Sequence, residues 1–351
     1  MIKPTGPLII NLDSLILSKN ESEILSDQSI GGVILFNHNY SNTSQVKSLI
    51  SSIKDIRDNI IIATDHEGGR VQRFKDGFTL LPSFYEISQL YNQDNAVAQE
   101  VAYSSGYVAG YELKTIGVDI NFSPVVDLTS KSIVMSERTL SASPEVVISL
   151  ASSYIRGLID NGILPTLKHF PGHGAVTSDT HTDISKCNLT LHELSSHIST
   201  FKDLHEKYKL PIMTSHIVFN QISNNPVTTS SKWLCDLSEK IYEHKPFFIS
   251  DDLEMAAITQ TFNSKSRIDI LNKALQSGCN MTIVTTMQNQ DIIKKKSSYN
   301  FYSSEYLEKS SEIIKLFNQT ADLPCLEDIN YNIGSNEIYQ KSIKCIKKRL
   351  I

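Results

Sequence analysis

The chain has 351 residues, enough for one large domain or two ordinary ones, and its 40 % apolar and 20 % charged content is ordinary for a globular protein. A net charge of −5, with no basic run beyond "KKK" at 294–296 and "KKR" at 347–349, argues against a nucleic-acid partner. No stretch approaches the roughly 18 apolar residues of a membrane span. The start "MIKPTGPLIINLDSLIL" lacks a signal-peptide pattern, and the five scattered cysteines (187, 235, 279, 325, 345) read as reduced thiols, so a cytoplasmic protein is expected.

In chain order, "PLIIN" (7–11) and "GVILF" (32–36) are short, continuous apolar runs, and 43–56 has helical patterning. "NIIIATD" (59–65) follows, then a helix over 94–115, "VDINF" (118–122), a helix over 145–161 and "LPTLK" (164–168). A helix over 191–208 leads to "PIMTS" (211–215) and "PFFIS" (246–250); a helix over 265–277 leads to "NMTIVT" (280–285). Continuous rather than alternating apolar runs are the mark of strands buried on both faces. "LIDNG" (158–162) and "LQSG" (275–278) place glycine where a helix should stop before a strand. Eight strands alternating with helices predict an α/β fold of the (β/α)₈ barrel type, with a doubly wound open sheet as the alternative. No glycine-rich phosphate loop follows an early strand, which weakens a nucleotide-binding version of that alternative. The barrel is expected over residues 1–300, with 301–351 as terminal helices packed on it, and a monomer is the expected state.

Polar residues gather just after these strands. "DHEGGR" follows the third, "SPVVD" the fourth, "KHFPGHG" spans the end of the fifth, "SH" ends the sixth and "SDD" follows the seventh. In a barrel all five positions lie at one mouth, where active sites sit.

The stretch "KHFPGHGAVTSDTHTD" (168–183) is the densest of them, with three histidines, two aspartates and a lysine. Three readings compete for it: a metal site, a catalytic loop or a polar surface loop. His169 and His173 have the spacing of a helical zinc pair, but Pro171 and Gly172 break a helix there and the intervening Glu of such a pair is missing; loop-borne ligands stay open. Asp179 and His181 lie two apart, so an extended loop puts them on one side. A carboxylate beside an imidazole orients it and favours its protonated form, which makes a proton carrier near neutral pH. In "FFISDDLEMAAI" (247–258), Asp251 stands at the tip of the seventh strand. It could instead close a capping box with Glu254, or Asp252 could take the capping role and leave Asp251 to the mouth. Neighbours on a strand point opposite ways, so one of the two aspartates is expected to face the mouth. In "ATDHEGGRVQRF" (63–74), Asp65 ends the third strand, Gly68 and Gly69 allow an unusual turn, and Arg70 and Arg73 are three apart, sharing a side only if helical. An acidic nucleophile, a separate proton donor and groups suited to hydroxyls suggest glycoside chemistry.

At these residues the chain resembles glycoside hydrolase family three. "DHEGGRVQRF", "GVDINFSPVVDL", "KHFPGHG" followed by "DTH", and "SDDLEM" occur in that family's order over about residues 30 to 285. The resemblance is nearest to its single-domain bacterial β-N-acetylglucosaminidases of peptidoglycan recycling. It implies a barrel without metal or cofactor. It implies that Asp251 is the nucleophile of a covalent glycosyl-enzyme intermediate, that His181 is the general acid/base on a mobile loop with Asp179 as its partner, and that Asp65, Arg73, Arg138, Lys168 and His169 bind the N-acetylglucosamine unit. The implied substrate is N-acetylglucosaminyl-β-1,4-anhydro-N-acetylmuramic acid, with or without peptide. The chain departs from the family pattern in three places. "DTH" (179–181) stands where Asp-Ser-His is usual, Ser185 stands where a proline is usual, and Leu140 replaces the aromatic residue after Arg138.

Three alternatives accompany this expectation. The substrate's own acetamide could replace the protein nucleophile. A histidine acid/base is neutral when deprotonated and would not repel phosphate, which leaves phosphorolysis open. A non-catalytic glycan-binding barrel is the third. Among the remaining residues, His216 is read as either a substrate contact or a buried support. His66, Glu67 and His173 are read as loop scaffolding, Trp233 and Cys279 as packing, and His192, His197 and His205 as solvent-facing.

Overall fold

The computed structural model describes residues 5–129, 135, 137–176, 185–262, 266–285, 303–321 and 335–350. The barrel wall consists of β1 (Leu8–Asn11), β2 (Ile30–Leu35), β3 (Ile61–Thr64), β4 (Ile120–Asn121), β5 (two runs, Leu164–Pro165 and Leu167–Phe170), β6 (Ile212–Thr214), β7 (Phe248–Asp252) and β8 (Met281–Val284). Each strand pairs in parallel with the next, and β8 pairs back onto β1. The first run of β5 pairs with β4 and the second with β6. Thr166, which alone separates the two runs, donates its N–H to Ser123 at 3.0 Å, so the sheet closes on itself through β5. All residues of β2 and β3 are buried, as a strand walled by helices outside and side chains inside requires.

The helices follow from local signals. Thr43–Ile56 starts at Asn42, whose side chain accepts from the Gln45 N–H, and buries Val46, Leu49, Ile50 and Ile53 along one stripe. Asn95–Ile116 stops at Gly117, where φ is 96°. This long helix packs on Pro144–Ile159 where glycines meet. A Cβ on Gly157 would lie 2.4 Å from the Tyr103 carbonyl oxygen, and one on Gly106 would lie 2.1 Å from that of Tyr154. The helix expected over 191–208 begins at Ser195, because the Thr190 hydroxyl and amide bind the Glu193 carboxylate in a separate turn. On it, His205 is buried rather than solvent-facing: its ring nitrogens meet the carbonyls of Leu210 (2.8 Å) and His244 (3.1 Å).

Ser335–Leu350 lies against Asn95–Ile116. The Tyr339 hydroxyl donates to Glu112 at 2.7 Å, and its ring stacks on Tyr111 at 4.4 Å. Among the described residues, no helix is long and apolar enough to cross a membrane.

Candidate active site

The C-terminal ends of the strands open into a cavity of about 810 Å³. Asp65, Arg73, Arg138, Lys168, His169 and Asp251 all line it. These residues come from the ends of β3, β5 and β7 and from the segment after β4, far apart in sequence. Asp179 and His181 lie outside the described residues.

Asp65, Arg70 and Arg73, three charged residues that line the cavity, come from one excursion after β3. His66–Gly68 pairs antiparallel with Val71–Gln72, and the chain turns through Gly68 (φ 112°) and Gly69 (φ 55°). A Cβ on Gly68 would stand 2.2 Å from the Pro82 carbonyl oxygen, so only glycine fits. This ribbon, not a helical turn, sets the relation between Arg70 and Arg73. Arg70 occupies the turn, whereas Arg73 reaches back to Asp65 at 2.8 Å and lies 5.2 Å from the Phe36 ring centroid. His66 is buried among Phe74 and Phe78, and burial pushes its imidazole down to about 3.

Lys168 is the hub of the floor. Its Nζ lies 2.8 Å from Asp65 and 2.7 Å from Glu67, and Arg138 holds the same Glu67 through Nε (3.0 Å) and Nη2 (2.8 Å). Burial alone would raise both carboxyls. Lys168 and Arg73 outweigh it at Asp65 and hold that group well below the usual carboxylate range; Arg138 and Lys168 draw Glu67 down to about 2. Both are therefore ionised at any working pH. Glu67 is thus more than loop scaffolding: it fixes two of the cations that line the cavity.

A buried carboxylate without its own cation charge balance is costly, and removing one partner of a buried pair strands the others. Glu67→Gln is expected to destabilise the fold by roughly 3–5 kcal/mol near neutral pH. The folded-state value of Glu67 lies below its ordinary 4.5, so its contribution is complete above that value and is lost as pH falls towards about 2. Urea unfolding across pH should show the deficit shrinking over that window; a difference independent of pH would contradict the assignment.

Asp127, from "SPVVD", organises the other side of the floor. Its carboxylate accepts the His169 and His173 backbone amides (3.1 and 2.6 Å) and meets His169 Nδ1 at 2.8 Å. These bonds overcome burial and lower the Asp127 carboxyl, with the His169 side chain contributing most among them. Burial, then the neighbouring His169, pushes His173 down to about 4, so it stands neutral beside His169.

Two register shifts explain how adjacent residues share the cavity. From Ile249↔Met281 to Asp252↔Ile283, β7 advances three residues while β8 advances two. From Ile212↔Leu167 to Thr214↔Phe170, β5 likewise advances three while β6 advances two. An extra residue breaks the in–out alternation and re-aims a side chain. Hence Asp251 and Asp252 both line the cavity, contrary to the expectation of one, and so do Lys168 and His169.

The two aspartates differ in their bonds. Asp252 accepts the Glu254 N–H at 3.1 Å and the Thr285 hydroxyl, and donates its own N–H to Asp251 Oδ1 at 2.8 Å. It thus closes a local turn, whereas the helix Ala256–Thr261 begins at Met255 with no side-chain cap, so neither aspartate caps it, and Glu254 pairs with Arg267 at 2.8 Å rather than with Asp251. Burial, aided by the Asp251 charge, pushes Asp252 up to about 6 against the Thr285 and Glu254 hydrogen bonds. His216 supports this tip from below: it is buried, with Nε2 on the Asp252 carbonyl at 2.8 Å and Nδ1 on the Thr228 hydroxyl at 2.9 Å. It is a buried support. Leu140, at the position of the missing aromatic, is buried in the core.

The chain is similar in sequence and in fold to known proteins. Residues 9–310 match the glycosyl hydrolase family 3 N-terminal domain. A beta-hexosaminidase from Psychromonas ingrahamii is 38 % identical over 282 residues, covering 79 % of this chain and 82 % of that protein. One from Neisseria meningitidis serogroup A is 35 % identical over 80 % of this chain and 78 % of its own length. The crystal structure of native NagZ from Neisseria gonorrhoeae superposes with a TM-score of 0.82 at 29 % identity, covering 98 % of each chain.

Proposed function

The chain belongs to glycosyl hydrolase family 3 and is a glycoside hydrolase, and from that premise we propose that it is a retaining exo-β-N-acetylglucosaminidase acting on anhydromuropeptides. The observation that carries this reading is the convergence of Asp65, Arg73, Arg138, Lys168, His169 and Asp251 on one cavity. The relatives named beta-hexosaminidase support the choice of sugar, and NagZ supports the size and single-barrel form.

In this scheme the ionised Asp65 accepts hydrogen bonds from sugar hydroxyls, while Arg73, Arg138 and Lys168 donate to oxygens of the N-acetylglucosamine. His169, held through Nδ1 by Asp127, presents its remaining nitrogen to the sugar. Asp251 attacks the anomeric carbon, and His181, oriented by Asp179, protonates the departing oxygen and then takes the proton of the incoming water. Asp252 keeps the tip of β7 in place through the N–H it gives Asp251.

The test is digestion of N-acetylglucosaminyl-β-1,4-anhydro-N-acetylmuramic acid, with and without peptide, followed by mass spectrometry and by proton NMR of the first-formed sugar. Free N-acetylglucosamine released initially as the β-anomer supports the reading. A sugar 1-phosphate formed only in phosphate buffer, an initial α-anomer, or no cleavage would each overturn it.

A further inference from the structure

The exposure of the charged side chains rises in a sequence from the floor of the cavity outward. Lys168 is 2 % exposed, Asp65 15 % and Arg73 27 %, whereas Arg70 is an exposed residue that still lines the same cavity. Arg70 therefore stands at the lip.

Its mount is rigid. The Gly69 N–H donates to the Leu81 carbonyl at 3.0 Å. The buried Gln72 donates through Nε2 to the carbonyls of Phe74 and Thr79 at 3.0 and 2.9 Å, and its Oε1 accepts from the Leu81 N–H at 2.9 Å. A fixed tip removes the backbone's share of the ordering cost on binding and leaves only that of the arginine side chain.

When the terminal sugar fills the floor, whatever it is bonded to must leave through the open end. The floor's carboxylates Asp65 and Glu67 are matched by Lys168, Arg73 and Arg138. A planar fork at the exit suits a carboxylate on the outgoing group. We infer that Arg70 forms an outer subsite for the leaving group and that it selects N-acetylglucosaminides whose leaving group bears a carboxylate. This rests on the reading of the cavity as an N-acetylglucosaminidase site and adds to it the residue that recognises the second unit.

The test uses two disaccharides: N-acetylglucosamine β-linked to a muramic-type sugar with its lactyl carboxylate free, and the same compound as the methyl ester. The unmodified full chain should prefer the acid by roughly threefold to tenfold in kcat/KM, carried by KM, with the preference eroding as salt rises. Arg70→Ala should bring the acid-to-ester ratio near one, Arg70→Glu should invert it, and Arg70→Lys should retain part of it. A guanidinium that only braced the ribbon would slow both substrates alike. No preference in the unmodified protein, or a preference that survives Arg70→Ala, would overturn the inference alone. Failure to cleave either disaccharide would overturn the functional reading and this inference with it.

Discussion

Replacing Asp251 by alanine is expected to lower kcat on aryl β-N-acetylglucosaminides by on the order of 10⁴-fold or more, as loss of a covalent nucleophile does. Binding of N-acetylglucosamine should survive, because Asp65 stays paired with Arg73 and Lys168, and Glu67 with Lys168 and Arg138. Calorimetric titration of the variant with the sugar checks the second half. The neighbouring Asp252→Asn should cost far less than Asp251→Ala, because Asp252 spends its oxygens on the Glu254 amide and the Thr285 hydroxyl. Equal losses at the two positions would move the nucleophile assignment off Asp251, and activity within about tenfold of normal in Asp251→Ala would refute it.

The second large effect concerns His181. His181→Ala should reduce the cleavage of poor leaving groups by about 10²–10⁴-fold, the usual worth of general acid–base help. Activated aryl glycosides, whose leaving oxygen needs no proton, should suffer least in the glycosylation step. Steady-state rates across a series of leaving groups would show a steep dependence in the variant and a shallow one in the unmodified protein. Parallel lines would contradict a proton-donor role.

The barrel is legible in the sequence because its strands are short apolar runs buried on both faces, and that pattern needs no knowledge of partners. It fails at the strand ends. β2 starts at Ile30, which pairs with Leu8, two residues before the run that marks it; Gly31 interrupts the apolar pattern because a Cβ there would stand 1.8 Å from the Gly6 carbonyl oxygen. β5 continues through Lys168 and His169 to Phe170, and β7 through Asp251 and Asp252. Those residues are polar because they face the cavity, so an apolar pattern stops short of the positions that carry the chemistry. The register shifts that turn both members of each pair to the same side depend on the neighbouring strand, which no local spacing reports.

The candidate residues of the cavity were legible as residue types at strand tips and through resemblance to the family's motifs. Their partners were less so. Glu67 meets Arg138 across 71 positions, and Asp127 meets His169 across 42. A buried carboxylate takes its meaning from such distant cations and amides, and in the linear chain it looks like any loop aspartate or glutamate. "SPVVD" carried a signal for Asp127 in its place after the fourth strand, though not its role. Arg70 and Arg73 show the same limit from the other side: three apart in sequence, they are separated in function by a ribbon that glycine makes possible.

The most direct measurement is to trap the intermediate. Incubating the protein with a slow fluorinated N-acetylglucosaminyl donor and mapping the adduct by peptide mass spectrometry should find one sugar esterified to Asp251. A sugar on any other residue, or steady turnover with no adduct together with inhibition by a thiazoline mimic of the cyclised acetamide, would contradict the account.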